Sequence, residues 1–143
     1  MTTLSSASKL DALRRCGVFA RIPAGALGVL AEILTTETLR AGEVLFEHGE
    51  PSDRVYVVVS GGLSVRVPGR AEPVRQLAAG QLLGEYGMFA AQVRTASVLA
   101  DAPSVLLSLD YERFRAFLHQ FPEAMFVLLG TAVERLLEAE RGQ

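Results

Sequence analysis

Gln81-Leu82-Leu83-Gly84-Glu85-Tyr86-Gly87-Met88-Phe89-Ala90-Ala91-Gln92-Val93-Arg94-Thr95-Ala96-Ser97-Val98 is the stretch on which the rest of the chain is organised. Leu82-Leu83 reads as a short apolar strand that breaks at Gly84. After a brief excursion the chain returns to a strand-like run over 95–100. A carboxylate, Glu85, opens the excursion and a guanidinium, Arg94, closes it, with Gly87, Ala90, Ala91 and Ala96 as small residues around them. This combination suits a phosphorylated sugar. Backbone N–H groups at a tight turn form a concavity for an anion, and small side chains let the ligand approach them. Arginine supplies a planar, permanently charged fork for the phosphate. An ionised glutamate only accepts hydrogen bonds, so beside a phosphate it serves a sugar hydroxyl.

Gly84-Glu85 followed by Arg94-Thr95-Ala96-Ser97-Val98 resembles the phosphate-binding cassette of cyclic nucleotide-binding domains. That family includes catabolite-activator-type regulators, protein kinase A regulatory subunits and cyclic-nucleotide-gated channels. The resemblance covers roughly residues 19–137 and includes the frame Leu39-x-x-Gly42-Glu43-x-x-Phe46-x-x-Gly49 and Val58-x-x-Gly61. It implies that Glu85 takes the ribose 2′-hydroxyl and Arg94 the cyclic phosphate, assisted by backbone amides. The ligand-binding positions it implies are Gly84, Glu85, Tyr86, Gly87, Arg94, Thr95 and Ala96. Thr95 is open to three roles: the phosphate, a guanine amino group, or a plain strand threonine. Tyr86 reads as packing rather than as a base contact. The chain departs from the family pattern at Tyr86, Gly87 and Val93, and Gly87 is expected to loosen the short cassette helix.

The 143 residues suit one domain with a real core, and half of them are hydrophobic while 21% are charged. A formal net charge of −2 offers no electrostatic footprint for DNA or RNA. The one cysteine, Cys16, cannot form an internal disulfide and reads as a small hydrophobe. Residues 1–15 lack an apolar signal-peptide core, and no window approaches 18 uninterrupted apolar residues. The expectation is a cytoplasmic chain that does not insert into a membrane.

Along the chain, residues 8–16 and 25–34 read as helices, the first with Ser8 as N-cap. Short apolar or alternating runs follow over 38–40, 43–46, 55–60, 63–67 and 74–77, separated by glycine- and proline-rich turns. Gly61-Gly62 is a hairpin signal, and Ser64 and Arg66 are expected to face outward. A last strand over 104–109 leads to Asp110 as N-cap of a helix buried through Tyr111, Phe114, Phe117, Leu118 and Phe121. Pro122 starts a second helix over 122–141, weakened at Gly130 and stopped by Gly142. His48 and His119 read as isolated surface residues. The expected fold is α+β: helices over 8–34, an eight-stranded, jelly-roll-like β-roll over 35–110 containing the cassette at 83–97, and two C-terminal helices over 111–141.

Several alternatives stand beside this reading. Glu85 and Arg94 would also suit an ordinary salt bridge across a loop. Leu129, Val133 and Leu136 suit core packing first, a lid over the base second, and a dimer face third. A β-roll serving only as an interaction or dimerisation module is the main functional alternative. A cupin-like metalloenzyme lacks its His-x-His, and an iron–sulfur sensor lacks its cysteines. No helix-turn-helix follows the last helix to support a DNA-binding regulator. The expected activity is therefore regulatory, not enzymatic. It consists of reversible binding of a cyclic nucleotide, cAMP ahead of cGMP, with no further cofactor or metal. Output passes through the last helix to a homodimer partner or a separate effector protein.

Overall fold

The computed structural model describes residues 3–90 and 93–141, except the side chain of Tyr86. Ala91 and Gly142, which figure in the sequence reading, lie outside the described residues. Two helices open the chain, α1 (Ser6–Arg15) and α2 (Ala24–Ile33), with a 3-10 turn at Phe19–Arg21 between them. The N-cap of α1 is Ser5 and not Ser8: the Ser5 hydroxyl accepts from the Ser8 backbone N–H. Lys9 Nζ donates to the Leu34 carbonyl at 2.6 Å, satisfying a backbone group just past the C-terminal end of α2 and tying the two helices together.

Eight strands follow in two antiparallel sheets: β1 (Thr35–Leu39), β2 (Val44–Phe46), β3 (Arg54–Ser60), β4 (Gly62–Arg66), β5 (Arg75–Ala78), β6 (Leu82–Leu83), β7 (Ser97–Ala100) and β8 (Ser104–Asp110). One sheet has the order β1-β8-β3-β6 and the other β2-β7-β4-β5. The short helix α3 (Glu85–Phe89) interrupts the roll, and α4 (Tyr111–Gln120) and α5 (Pro122–Arg141) close the chain.

The continuous apolar run of β3 reflects burial on both faces of its sheet. Val55 and Val57 pack toward the helices with Leu107 and Leu109 of β8, while Tyr56 and Val58 face the roll interior with Leu106. The helical side of this core is completed by Leu13, Phe19, Leu30, Phe114 and Phe117. The interior is filled by Phe46, Leu63, Leu77 and Val98. Asp110 caps α4 as expected, accepting from the Arg113 N–H. Cys16 is buried, and burial pushes its thiol above the ordinary range, as befits a packed apolar residue.

Three further expectations are corrected. Gly61-Gly62 is not a hairpin turn, because β3 and β4 belong to different sheets and the chain crosses between them there. Ser64 points away from the roll interior yet is buried, and its hydroxyl bonds the Asp101 carboxylate at 2.6–2.7 Å. The apolar face of α5 is not core: only Ala124 and Leu128 are buried, whereas Phe126, Leu129 and Leu136 are 73%, 55% and 61% exposed. Val133 is exposed as well.

Candidate functional site

Arg94 is positioned by its backbone before its side chain is considered. Its N–H donates to the Glu50 carbonyl at 2.7 Å, and its carbonyl accepts from the Gly49 N–H at 2.8 Å. These two bonds clamp it against the loop joining β2 and β3. The side chain is 5% exposed and its guanidinium carbon lies over the Phe46 ring, 4.1 Å from the centroid. Tyr56 lies next to that ring, and burial pushes its phenol up to about 12, so it stays neutral beneath the cation. Arg94 Nη2 donates to the Arg54 carbonyl at 3.1 Å. It also approaches the Asp53 carboxylate at 3.6 Å, but the Asp53 side chain is 72% exposed, so water screens the pair. Arg94 Nε is buried with no hydrogen-bond partner among the described residues. A guanidinium has five donors, and a buried donor left unpaired is costly. Arg94 is thus a buried cation whose immediate partners leave part of its fork unused.

Gly84 makes room for that side chain. Its φ of +91° lies where L side chains are strained, and a Cβ there would sit 2.7 Å from the Arg54 carbonyl oxygen and 2.9 Å from Arg94 Nη1. The Gly84 carbonyl accepts from the Tyr111 hydroxyl at the start of α4. Since the tyrosine has one proton to give, its 2.7 Å contact with Ser52 Oγ is filled by the serine as donor. Gly87 is the point where α3 meets this pair. A Cβ on Gly87 would overlap both the Ser52 and the Tyr111 oxygens.

Glu85 opens α3 and is buried. Its Oε1 accepts from Arg135 Nη1 of α5 at 3.0 Å. Burial pushes the Glu85 carboxyl above its ordinary value, opposed in part by its own backbone N–H, by Arg135 and by Arg75. Glu85 and Arg94 form no ion pair with each other among the described residues; the partners are Arg135 for one and Asp53 for the other.

Gly84, Glu85, Gly87, Arg94, Thr95 and Ala96 all line one cavity of about 180 Å³ inside the mouth of the roll. Tyr86 lies in α3 by its backbone. A larger cavity of about 460 Å³ lies between α1 and β3, remote from the cassette; its two charged residues, Asp11 and Arg15, pair with each other at 3.2 Å at the surface. Sequence reasoning missed Arg135, Asp53, Ser52 and the Tyr111 hydroxyl. No local signal marks them, because each reaches the cassette across a long stretch of chain. His48 and His119 are exposed, as expected. Among the described residues no group of three or more His, Cys, Asp or Glu side chains could hold a metal ion, and no single helix is long and apolar enough to cross a membrane.

Comparison with known proteins gives this cavity a context. The family model of the cyclic nucleotide-binding domain matches residues 36–121. The chain is 32% identical over 118 residues to a cyclic nucleotide-gated potassium channel of Mesorhizobium japonicum, covering 82% of this chain and 32% of the channel. It is 28% identical over 129 residues to a CRP-like cAMP-activated global transcriptional regulator of Mycobacterium tuberculosis, covering 88% of this chain and 58% of the regulator. The chain therefore spans 32% to 58% of the length of these relatives. Among solved structures, the N-terminal domain of a transcriptional regulator from Streptomyces coelicolor superposes with a TM-score of 0.77 at 30% identity, covering 93% of this chain and 94% of that one. The Thermus thermophilus catabolite activator protein shares the fold, with a TM-score of 0.79 at 23% identity over 87% of this chain and 60% of that one. The β-roll with its flanking helices, the cassette sequence and the family match agree: this chain belongs to the cyclic nucleotide-binding domain family.

Proposed function

We propose that this domain reversibly binds a purine 3′,5′-cyclic nucleotide, with cAMP ahead of cGMP, and that binding alters how α5 is held. The role is regulatory and cytoplasmic rather than catalytic. The observation that carries the reading is Arg94, a buried cation with an unpartnered Nε, in the same cavity as the buried carboxylate of Glu85. A cyclic phosphate is a monoanion that would take the unused donors of Arg94 and gain charge-assisted hydrogen bonds in a site sheltered from water. The ribose 2′-hydroxyl is a donor that suits Glu85.

The coupling follows from what Glu85 already holds. Its Oε1 accepts from Arg135 of α5, so a ribose hydroxyl that takes Oε1 competes with α5 for that oxygen. The nucleotide shifts α5 only as far as it binds the two helix positions with different affinity. The apolar face of α5, with Phe126, Leu129 and Leu136 exposed, would change its presentation as the helix moves. A homodimer partner or a separate effector would read that change.

Thermal unfolding with and without nucleotide tests the reading. cAMP at about one hundred times its dissociation constant adds roughly 2.7 kcal/mol to the folded state, so the midpoint rises by several degrees. An unchanged midpoint at millimolar cAMP and cGMP would count against it.

A further inference from the structure

Tyr111 opens α4, and its ring belongs to the helical core that Phe114 and Phe117 also fill. Those two phenylalanines meet the packing need with plain rings, so packing does not account for the Tyr111 hydroxyl. The residue is held from two sides. Its backbone N–H donates to the Asp53 carbonyl at 2.9 Å, and Ser52 Oγ lies 2.7 Å from the phenol oxygen. The phenol proton goes to the Gly84 carbonyl. Gly87 has no Cβ to fill the space that the two hydroxyl oxygens occupy. A serine and a tyrosine 59 residues apart thus form a chain that ends on one peptide carbonyl. Ser52, Gly84 and Gly87 all line the cassette cavity.

A trans peptide unit is planar, so the Glu85 N–H points opposite to the Gly84 carbonyl. That N–H supports the Glu85 carboxylate, as does Arg135. Fixing the carbonyl on Tyr111 therefore fixes the N–H, and with it the carboxylate. Arg94 has separate supports in Glu50, Gly49 and Arg54. We propose that Ser52 and Tyr111 form a hydroxyl relay that positions Glu85, and that the preference of this chain for a nucleotide bearing a 2′-hydroxyl depends on it. The inference rests on the reading above, in which Glu85 takes the ribose hydroxyl. Both are positioning residues acting through the Gly84–Glu85 peptide. Without the relay the carboxylate loses its alignment with the ribose, while the phosphate contact at Arg94 stays in place.

The test is calorimetric titration of the whole chain, unsubstituted, as Tyr111→Phe and as Ser52→Ala, with cAMP and with 2′-deoxy-cAMP, the weaker ligand measured in competition with the stronger. Tyr111→Phe is expected to weaken cAMP by roughly 3- to 10-fold, the scale of one neutral hydrogen bond. Ser52→Ala, one step further from Glu85, is expected to weaken it by roughly 2- to 5-fold. Neither substitution is expected to change the affinity for 2′-deoxy-cAMP. Tyr111→Phe keeps the core ring, and Ser52 is a half-buried loop residue, so a cooperative thermal transition identifies folded protein in each case. Ser52→Ala carries the test alone if Tyr111→Phe does not fold. A role confined to holding the fold moves both ligands together, so equal losses for cAMP and 2′-deoxy-cAMP would overturn the inference, as would no loss for either. Absence of cAMP binding by the unsubstituted chain would overturn the cyclic-nucleotide reading itself, and with it this inference.

Discussion

Gly87 lies too close to Ser52 and Tyr111 to carry even a methyl group, and those two side chains hold the Gly84 turn against the start of α4. Gly87→Ala is therefore expected to destabilise the fold by about 1–3 kcal/mol, the usual cost of overpacking. Urea unfolding would show this as a lower midpoint with an unchanged slope. Two residues earlier, burial raises the Glu85 carboxyl above its ordinary value of 4.5 while Arg135 and Arg75 oppose the rise. Across the interval from that ordinary value up to the raised one, the folded state holds a proton that the unfolded chain has released. The contribution of Glu85 to stability is thus greatest in acid and falls as pH rises through the interval. Glu85→Gln removes this dependence. The unfolding free energy of the variant minus that of the unsubstituted chain is expected to grow with pH from about 4.5 upward and then level off; a difference that shrinks with pH would contradict the burial argument.

At the scale of elements, among the described residues α5 is the one helix whose apolar residues mostly face solvent; Ala124 and Leu128 are buried, and polar side chains of its second half reach the roll and the 3-10 turn. Arg135 reaches Glu85 at 3.0 Å, and the neighbouring Glu134 approaches Arg21 at 3.6 Å, the latter pair exposed and worth little. Arg135→Ala leaves a buried carboxylate without its charged partner and is expected to cost about 1–3 kcal/mol. Its distinctive effect is on coupling. In the unsubstituted chain cAMP is expected to speed amide exchange along α5, whereas in Arg135→Ala exchange there is fast from the start and cAMP changes it little. Slow, nucleotide-independent exchange in both proteins would detach α5 from the site. The sequence shows α5 as an amphipathic helix with correct limits, because Pro122 and the 3.6-residue period are local signals. Periodicity identifies an apolar face but not what lies against it, which is why Leu129, Val133 and Leu136 read as core. The same limit explains Gly61-Gly62: two glycines between apolar strands signal a hairpin, and only the non-local partners, β8 for β3 and β7 for β4, reveal a crossing between sheets.

For the whole molecule, two cores share one sheet: helices pack on one face of β1-β8-β3-β6, and the second sheet faces the other. The run 54–60 announces this arrangement in the sequence, since a strand apolar at every central position is buried on both faces. The candidate site was legible where its residues are close in sequence, at Gly84, Glu85, Gly87 and Arg94. It was not legible where the fold brings in Asp53, Tyr111 and Arg135, which reach the cassette from other elements. The central claim concerns Arg94, and calorimetric titration of the unsubstituted chain and Arg94→Ala with cAMP tests it most directly. The account predicts saturable binding that weakens roughly tenfold to more than a hundredfold in the variant, from the loss of charge-assisted hydrogen bonds worth ~1.5–3 kcal/mol each. Equal affinity in the two folded proteins, or no binding by the ligand-free unsubstituted chain, would contradict it.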